Sequence, residues 1–355
     1  MDAMQCAKSI LGRFSQKELK EYYDRLEYRT FAEYREALLN TYREFDGSLP
    51  QTEGHMFCGA PDAETARNHF INAHSNTGKL PDEGAVRLEQ MDGRDEAFRQ
   101  RFIAPSHIWD IAILDAVRTG DADCLVEGAE LYLRFHHRAR FLHRLPPGSK
   151  FFLAIGSSKR GTLINDHAAF EQNVLMAYAC GRPELARRFF NRSMGLSLLD
   201  TTSSTVNLCF AAMYGEPELW EQAMRLSAGD LKKRKGKAFQ AHAMVFIGVM
   251  ERNAGAVSEA LATMGAIQPI SYWGYARNRI VNICHHGLCA FVREHLPSDL
   301  FAQVEIPEAR GWWPELFEAC RQRTVSRSFV SSRYTFGGEL SFLDEMAREL
   351  DEVHQ

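Results

Sequence analysis

Histidine is the side chain best suited to bind a transition metal or move a proton near neutral pH, and six of this chain's 13 histidines fall into two groups close in sequence. The first is His136, His137 and His143. On a helix, His136 and His143 share a face, and His137 neighbours Arg140. A metal there would want a carboxylate or thiolate on the same face. Glu130, six residues before His136, fits that face poorly. Arg138, Arg140, His143 and Arg144 instead suit the C-terminal end of a helix, where cations complement the dipole. The second group is His285, His286 and His295, with Cys284 and Cys289 alongside. No HExxH pattern accompanies it, and the spacing matches no standard zinc site.

Nucleophile chemistry is equally sparse. The eight cysteines are scattered among apolar neighbours with no CxxC pair, which reads as reduced core thiols. No GxSxG is present. Residues 156–161, Gly-Ser-Ser-Lys-Arg-Gly, resemble a phosphate loop, but lack its Gly-Lys-Ser/Thr ending and a strand before it. The sequence therefore assigns no catalytic residue, no metal ligand and no cofactor.

The elements that would position any site are helices. Periodic apolar spacing dominates and strand-like alternation is almost absent. The spacing predicts a helix over 15–28, with Ser15 and Glu18 as a capping box, and a second over 30–45. Further helix starts are expected near Asp62 and Pro81. From Pro105 onward one grammar repeats: an apolar helix, a turn with glycine, then a helix opened by an acid or Pro-Glu. The turns carry Gly120-Asp121, Gly181-Arg182-Pro183-Glu184, Gly215-Glu216-Pro217-Glu218 and Gly255-Ala256. Glycine supplies the left-handed residue that closes a helix, and proline is tolerated in the first turn of the next. Links this short fold two helices into an antiparallel hairpin. Gly181 and Gly215 are 34 residues apart, and Gly215 and Gly255 are 40 apart. Such periods suit a helical repeat, although the side-chain signature of tetratricopeptide units is missing. The expected fold is all-α: stacked antiparallel helical hairpins, solenoid-like or a globular helical array. An N-terminal helical region, 1–104, would precede a hairpin array over 105–355, as one continuous structural unit.

Composition narrows the function. Apolar residues are 45% and charged residues 25% of 355, and the net charge is −4. Such a chain can bury a core and is not basic enough for a general nucleic-acid binder. The run Lys232, Lys233, Arg234, Lys235 and Lys237 reads as a solvated helix end. No apolar run reaches the ~18 residues of a membrane span, and the first residues do not read as a secretion signal; a cytoplasmic location is expected. Two features suit a protein partner. Asp82, Glu83, Glu89, Asp92, Asp95 and Glu96 form an acid-rich segment that would meet a basic surface, or else a solvated helix face. Adjacent aromatics in Tyr272-Trp273-Gly274-Tyr275 and Trp312-Trp313 cannot all point inward if helical. They are either inter-helix packing or contact hot spots, with Glu305, Glu308 and Glu315 nearby to steer a basic partner.

The segments Tyr272-Trp273-Gly274-Tyr275-Ala276 and Trp312-Trp313-Pro314-Glu315, together with the Gly-x-Pro-Glu-Leu turns, resemble the all-helical immunity proteins of bacterial polymorphic-toxin systems. Immunity family forty-nine is one such group; the immunity partners of polymorphic nucleases are another. The resemblance covers about residues 165–320, and 1–100 contribute nothing to it. It implies a non-enzymatic inhibitor that occludes a cognate toxin, often one delivered by type VI secretion. A cytoplasmic inhibitor implies a cytoplasm-acting toxin such as a nuclease, with no nucleic acid or membrane as the chain's own partner. A helical adaptor or regulator, and a helical enzyme, are the alternatives.

Overall fold

In a computed structural model of the chain, the described residues are 15–24, 26–44, 57–58, 87–88, 107–119, 121–136, 170–190, 192, 195–197, 204–234, 236–267, 281–309, 311–314, 318 and 333–353. The fold is all-α. The strand content among these residues is one two-residue antiparallel pair, β1 (Phe57–Cys58) with β2 (Arg87–Leu88). The chain forms two compact units, each made of separate stretches of sequence. One comprises residues 1–24, 116–123 and 167–324; the other comprises 25–115, 124–166 and 325–355.

The first unit begins with α1 (Gln16–Tyr23). Its capping box is formed as expected: the Glu18 N–H donates to Ser15 Oγ at 3.2 Å, and the Ser15 N–H donates to Glu18 Oε2 at 3.0 Å.

The second unit joins sequence-distant parts of the chain. Its helix α2 (Phe31–Glu44) packs Phe31 against Tyr334 and Phe336, with ring centroids 5.3 and 5.4 Å apart. Arg35 donates to the Phe336 carbonyl, and Arg43 pairs with Glu339 at 2.7 Å. Helices α3 (His107–Thr119) and α4 (Ala122–His136) meet where Gly128 lies against Ala112, so close that a Cβ on Gly128 would sit 2.1 Å from the Ala112 Cβ. Glu127 of α4 is buried, and accepts the Arg333 N–H at 3.0 Å, which offsets its loss of water.

The rest of the first unit carries the hairpins: α5 (Phe170–Ala179) with α6 (Pro183–Phe189), α7 (Ser204–Tyr214) with α8 (Pro217–Lys233), and α9 (Lys237–Met250) with α10 (Ala254–Ile267). Helix α11 (Ile283–His295) and the short α12 (Ser298–Phe301) follow. The second unit closes with α13 (Ser341–Val353), introduced by a 3₁₀ turn at Gly338–Leu340. Helix α7 is buried over Ser204 to Met213, and its antiparallel pairing with α8 shows where Ser204 Oγ donates to Asp230 Oδ2 at 2.7 Å.

The hairpin turns follow the expected physics at two corners. Gly181 has φ +69° and Gly215 φ +67°. At the first, the Gly181 N–H reaches the Tyr178 carbonyl and the Arg182 N–H reaches the Ala177 carbonyl, both at 2.9 Å, the Schellman pattern. The third corner differs. Gly255 lies inside α10, and the left-handed residue is Arg252, φ +55°. The Asn253 N–H closes the same pattern onto the Gly248 carbonyl at 2.8 Å. Glycine is needed one turn earlier, because a Cβ on Gly248 would fall 2.8 Å from Val257 Cγ2.

Candidate functional site

Helices α5 and α11 frame the site. They run in the same direction: Gly287 of α11 lies against Leu175, and Phe291 and His295 further on lie against Tyr178. Gly287 permits a backbone-to-backbone approach. Beyond this crossing both helices end, and between their last turns is a notch of about 170 Å³. It is lined by Ala179, Gly181, Pro183, Ala290, Arg293 and Glu294, with Tyr178 in its wall. The small side chains at 179 and 290 leave the space; the Gly181–Pro183 corner closes one side.

The polar groups of the notch fall into committed and uncommitted sets. Tyr178 Oη and His295 Nε2 are 2.7 Å apart. Burial holds the Tyr178 phenol well above its usual range, and the Arg187 charge works weakly against that. Burial also depresses His295, to about 4, with Arg187 adding to the effect. The pair is therefore a neutral phenol hydrogen-bonded to a neutral imidazole. Arg293 Nη2 donates to Glu318 Oε1 at 2.8 Å, with its guanidinium 5.5 Å from the centre of the Phe301 ring. Glu294 is exposed and forms no ion pair with a described residue.

His285 and His286 lie one turn or more from this notch and belong to a different structure. Asn282 caps α11, its Oδ1 accepting the His285 N–H at 3.1 Å. His286 is fixed at both nitrogens: Nδ1 donates to the Asn282 carbonyl at 2.9 Å, and Nε2 accepts the Trp313 N–H at 3.2 Å. Trp312 lies tilted against it at 4.6 Å and meets His285 edge-on at 5.4 Å. Burial depresses His286 to about 4 and His285 to about 3. The His285 ring nitrogens hydrogen-bond to no side or main chain among the described residues; the Pro307 carbonyl offers only a weak polar contact. The Cys289 thiol is driven upward by burial. Two imidazoles held neutral, each walled in by aromatics, pack the core and bring the 311–313 segment onto α11.

Sequence reasoning grouped His295 with His285 and His286; the structure separates them. Trp312 is 6% exposed and Trp313 2% exposed, so both rings pack into the interior. Glu305 and Glu308 are exposed, and the Glu305 N–H is bound to Ser258 Oγ at 3.0 Å. Asp82, Glu83, Glu89, Asp92, Asp95, Glu96, Trp273 and Glu315 lie outside the described residues, as do His137 and His143. Lys232, Lys233, Arg234 and Lys237 are exposed at the end of α8 and the start of α9, a solvated helix end. The notch itself escaped the sequence because its walls come from residues more than a hundred positions apart; the small residues at Ala179 and Ala290 were its only trace.

No helix among the described residues is long and apolar enough to cross a membrane. Comparison with protein-family models, with curated proteins and with solved structures finds no match to this chain.

Proposed function

We propose that the chain is a non-enzymatic binding protein, and that its partner is a cognate bacterial toxin acting in the cytoplasm, such as a nuclease delivered by type VI secretion. The observation that carries the binding reading is the scale and chemistry of the notch. At about 170 Å³ it is well below the ~300–1,000 Å³ of pockets that enclose a metabolite. It suits one inserted side chain with charged groups at its rim, the anatomy of a protein–protein contact. The toxin as partner rests on the resemblance of residues 165–320 to all-helical immunity proteins. Exposed Glu305 and Glu308 would steer a basic toxin surface, and the acid-rich segment 82–96 would do the same.

Co-expression tests the reading. Cells producing a candidate polymorphic toxin from the same genome should survive when the chain is present, and the two proteins should co-purify as a complex. Reversing the charges at Glu305 and Glu308 together should slow association, most visibly at low salt. Survival without a complex, or a complex without survival, sinks the immunity reading. A complex with some other protein and no toxin protection would favour an adaptor.

A further inference from the structure

We propose that the corner between α8 and α9, where Lys232, Lys233, Arg234 and Lys237 are all exposed, is a docking surface for an acidic segment of another protein. The inference goes beyond the toxin reading and rests on different residues. Uncompensated charge is the first observation. Lys232, Lys233 and Lys237 make no ion pair or hydrogen bond with a described residue. Arg234 has one described carboxylate near it, Asp230 at 4.0 Å, and that carboxylate already accepts Ser204 Oγ at 2.7 Å. The other acids of α8, Glu218 and Glu221, stand towards its opposite end, and α9 contains none. The helix dipoles account for only part of the cluster. Lys232 and Lys233 fall in the last turn of α8, where cations are favoured. Lys237 opens α9, where a cation is disfavoured and no acid offsets it, and Arg234 lies past the last residue of α8. Residues that break a local rule together mark a place to look for function.

The corner is also held in shape. Gln240 Nε2 donates to the Leu231 carbonyl at 3.1 Å and to the Arg234 carbonyl, which ties the first turn of α9 to the last of α8. The Arg234 N–H closes on the Asp230 carbonyl at 2.8 Å, and its guanidinium lies 4.5 Å from the centre of the Phe239 ring. Cations displayed from a fixed backbone lose less freedom on binding. The surroundings then select the partner. Four exposed cations within six positions attract an anion of several charges. The whole chain carries −4 with these cations included, so a nucleic acid, whose charge continues past the corner, would run onto an acidic molecule. A lipid surface would want an exposed apolar side chain to bury beside the charge, and Leu231 and Phe239 are half-buried. A short run of Asp and Glu meets neither obstacle. Arg234 can take a carboxylate through two parallel N–H donors, and the lysines act as point charges around it.

The test uses the full chain and a fluorescein-labelled peptide of about ten glutamates, read by anisotropy. A glycine–serine peptide, an oligothymidine of the same length and vesicles of phosphatidylcholine with phosphatidylserine are the comparisons. The glutamate peptide should bind saturably and more weakly as salt rises, and the neutral peptide should not bind. Lys233→Glu with Lys237→Glu should weaken the glutamate peptide roughly tenfold. Both positions are exposed, and the acid gained at the start of α9 offsets the cation lost at the end of α8, so circular dichroism and melting temperature should hold. Lys17→Glu with Lys20→Glu on α1 makes the same change of net charge on exposed side chains and should weaken the peptide less than about twofold. Should the first pair unfold, Lys237→Gln serves in its place, with a loss of about two- to threefold. Absence of saturable binding, equal losses in the two double variants, or tighter binding of oligothymidine or vesicles than of the glutamate peptide would each overturn the proposal. The toxin reading fails separately: a chain that binds the peptide but neutralises no toxin keeps this surface and loses that partner.

Discussion

Replacing Gly287 with alanine tests the backbone contact on which the site is built. A Cβ at 287 would lie 2.2 Å from the Leu175 carbonyl oxygen, and 2.7 Å from both the Leu175 carbonyl carbon and its Cβ. Carbon approaches a carbonyl oxygen no closer than about 3.3 Å, so α5 and α11 must part by about 1 Å. No rotamer can relieve the clash, because the oxygen belongs to the backbone of a buried helix. Overpacking a core costs about 1–3 kcal/mol, and this geometry belongs at the upper end. Alanine recovers about 1 kcal/mol of helix propensity, leaving a net loss of about 2 kcal/mol. The internal control is Gly229 on α8, where a Cβ would meet nothing within 4 Å. Gly229→Ala should gain about 0.5–1 kcal/mol from propensity alone. Urea unfolding followed by circular dichroism reads both as shifts of the midpoint at constant slope. Equal shifts in the two variants, in either direction, would refute the crossing.

The other predictions concern the turn, the core and pH. Arg252→Gly should raise stability by about 1 kcal/mol, because the arginine holds a left-handed conformation at an exposed turn; a lower melting temperature would count against that corner. Trp313→Ala should cost about 3–5 kcal/mol as a core truncation, read by thermal unfolding, and a fully stable variant would return Trp313 to the surface. Stability should fall as pH is lowered from 6.5 through about 4. His286 and His295 are depressed to about 4 and His285 to about 3, so the unfolded chain binds more protons than the folded one in that window. Each contributes a slope of up to ~1.4 kcal/mol per pH unit there. His286→Gln should remove one such contribution, and a profile of unchanged steepness in that variant would show that His286 is not held neutral.

The hairpins were legible because they are local. Gly181 and Gly215 must be glycine or pay for a left-handed backbone, and Pro183 and Pro217 can begin a helix without losing a hydrogen bond. The capping box at Ser15 is readable within four residues for the same reason. Arg252 defeated the rule because non-glycine residues seldom take positive φ, and the nearest glycine in sequence, Gly255, drew the assignment to itself. The notch was illegible. It needs Ala179 and Ala290 to be small at once, and Gly287 to let two helices touch, which no sequence spacing announces.

The parting of the histidines shows how burial decides what a titratable residue can do. His285, His286 and His295 share one helix, and all three are held neutral by desolvation. What differs is the hydrogen-bonding around them. His286 has a donor and an acceptor fixed on opposite sides by Trp313 and Asn282, so the proton it carries is locked to Nδ1 and the ring works as a pin between α11 and the 311–313 segment. His295 is hydrogen-bonded to a phenol that burial keeps protonated, and that phenol's residue, Tyr178, lines the notch. A proton shuttle needs a ring that changes state near neutral pH, and a metal ligand needs a nitrogen with its lone pair free. In His286 the ring's one basic lone pair is already engaged, and neither His286 nor His295 changes state near pH 7, so neither moves a proton there.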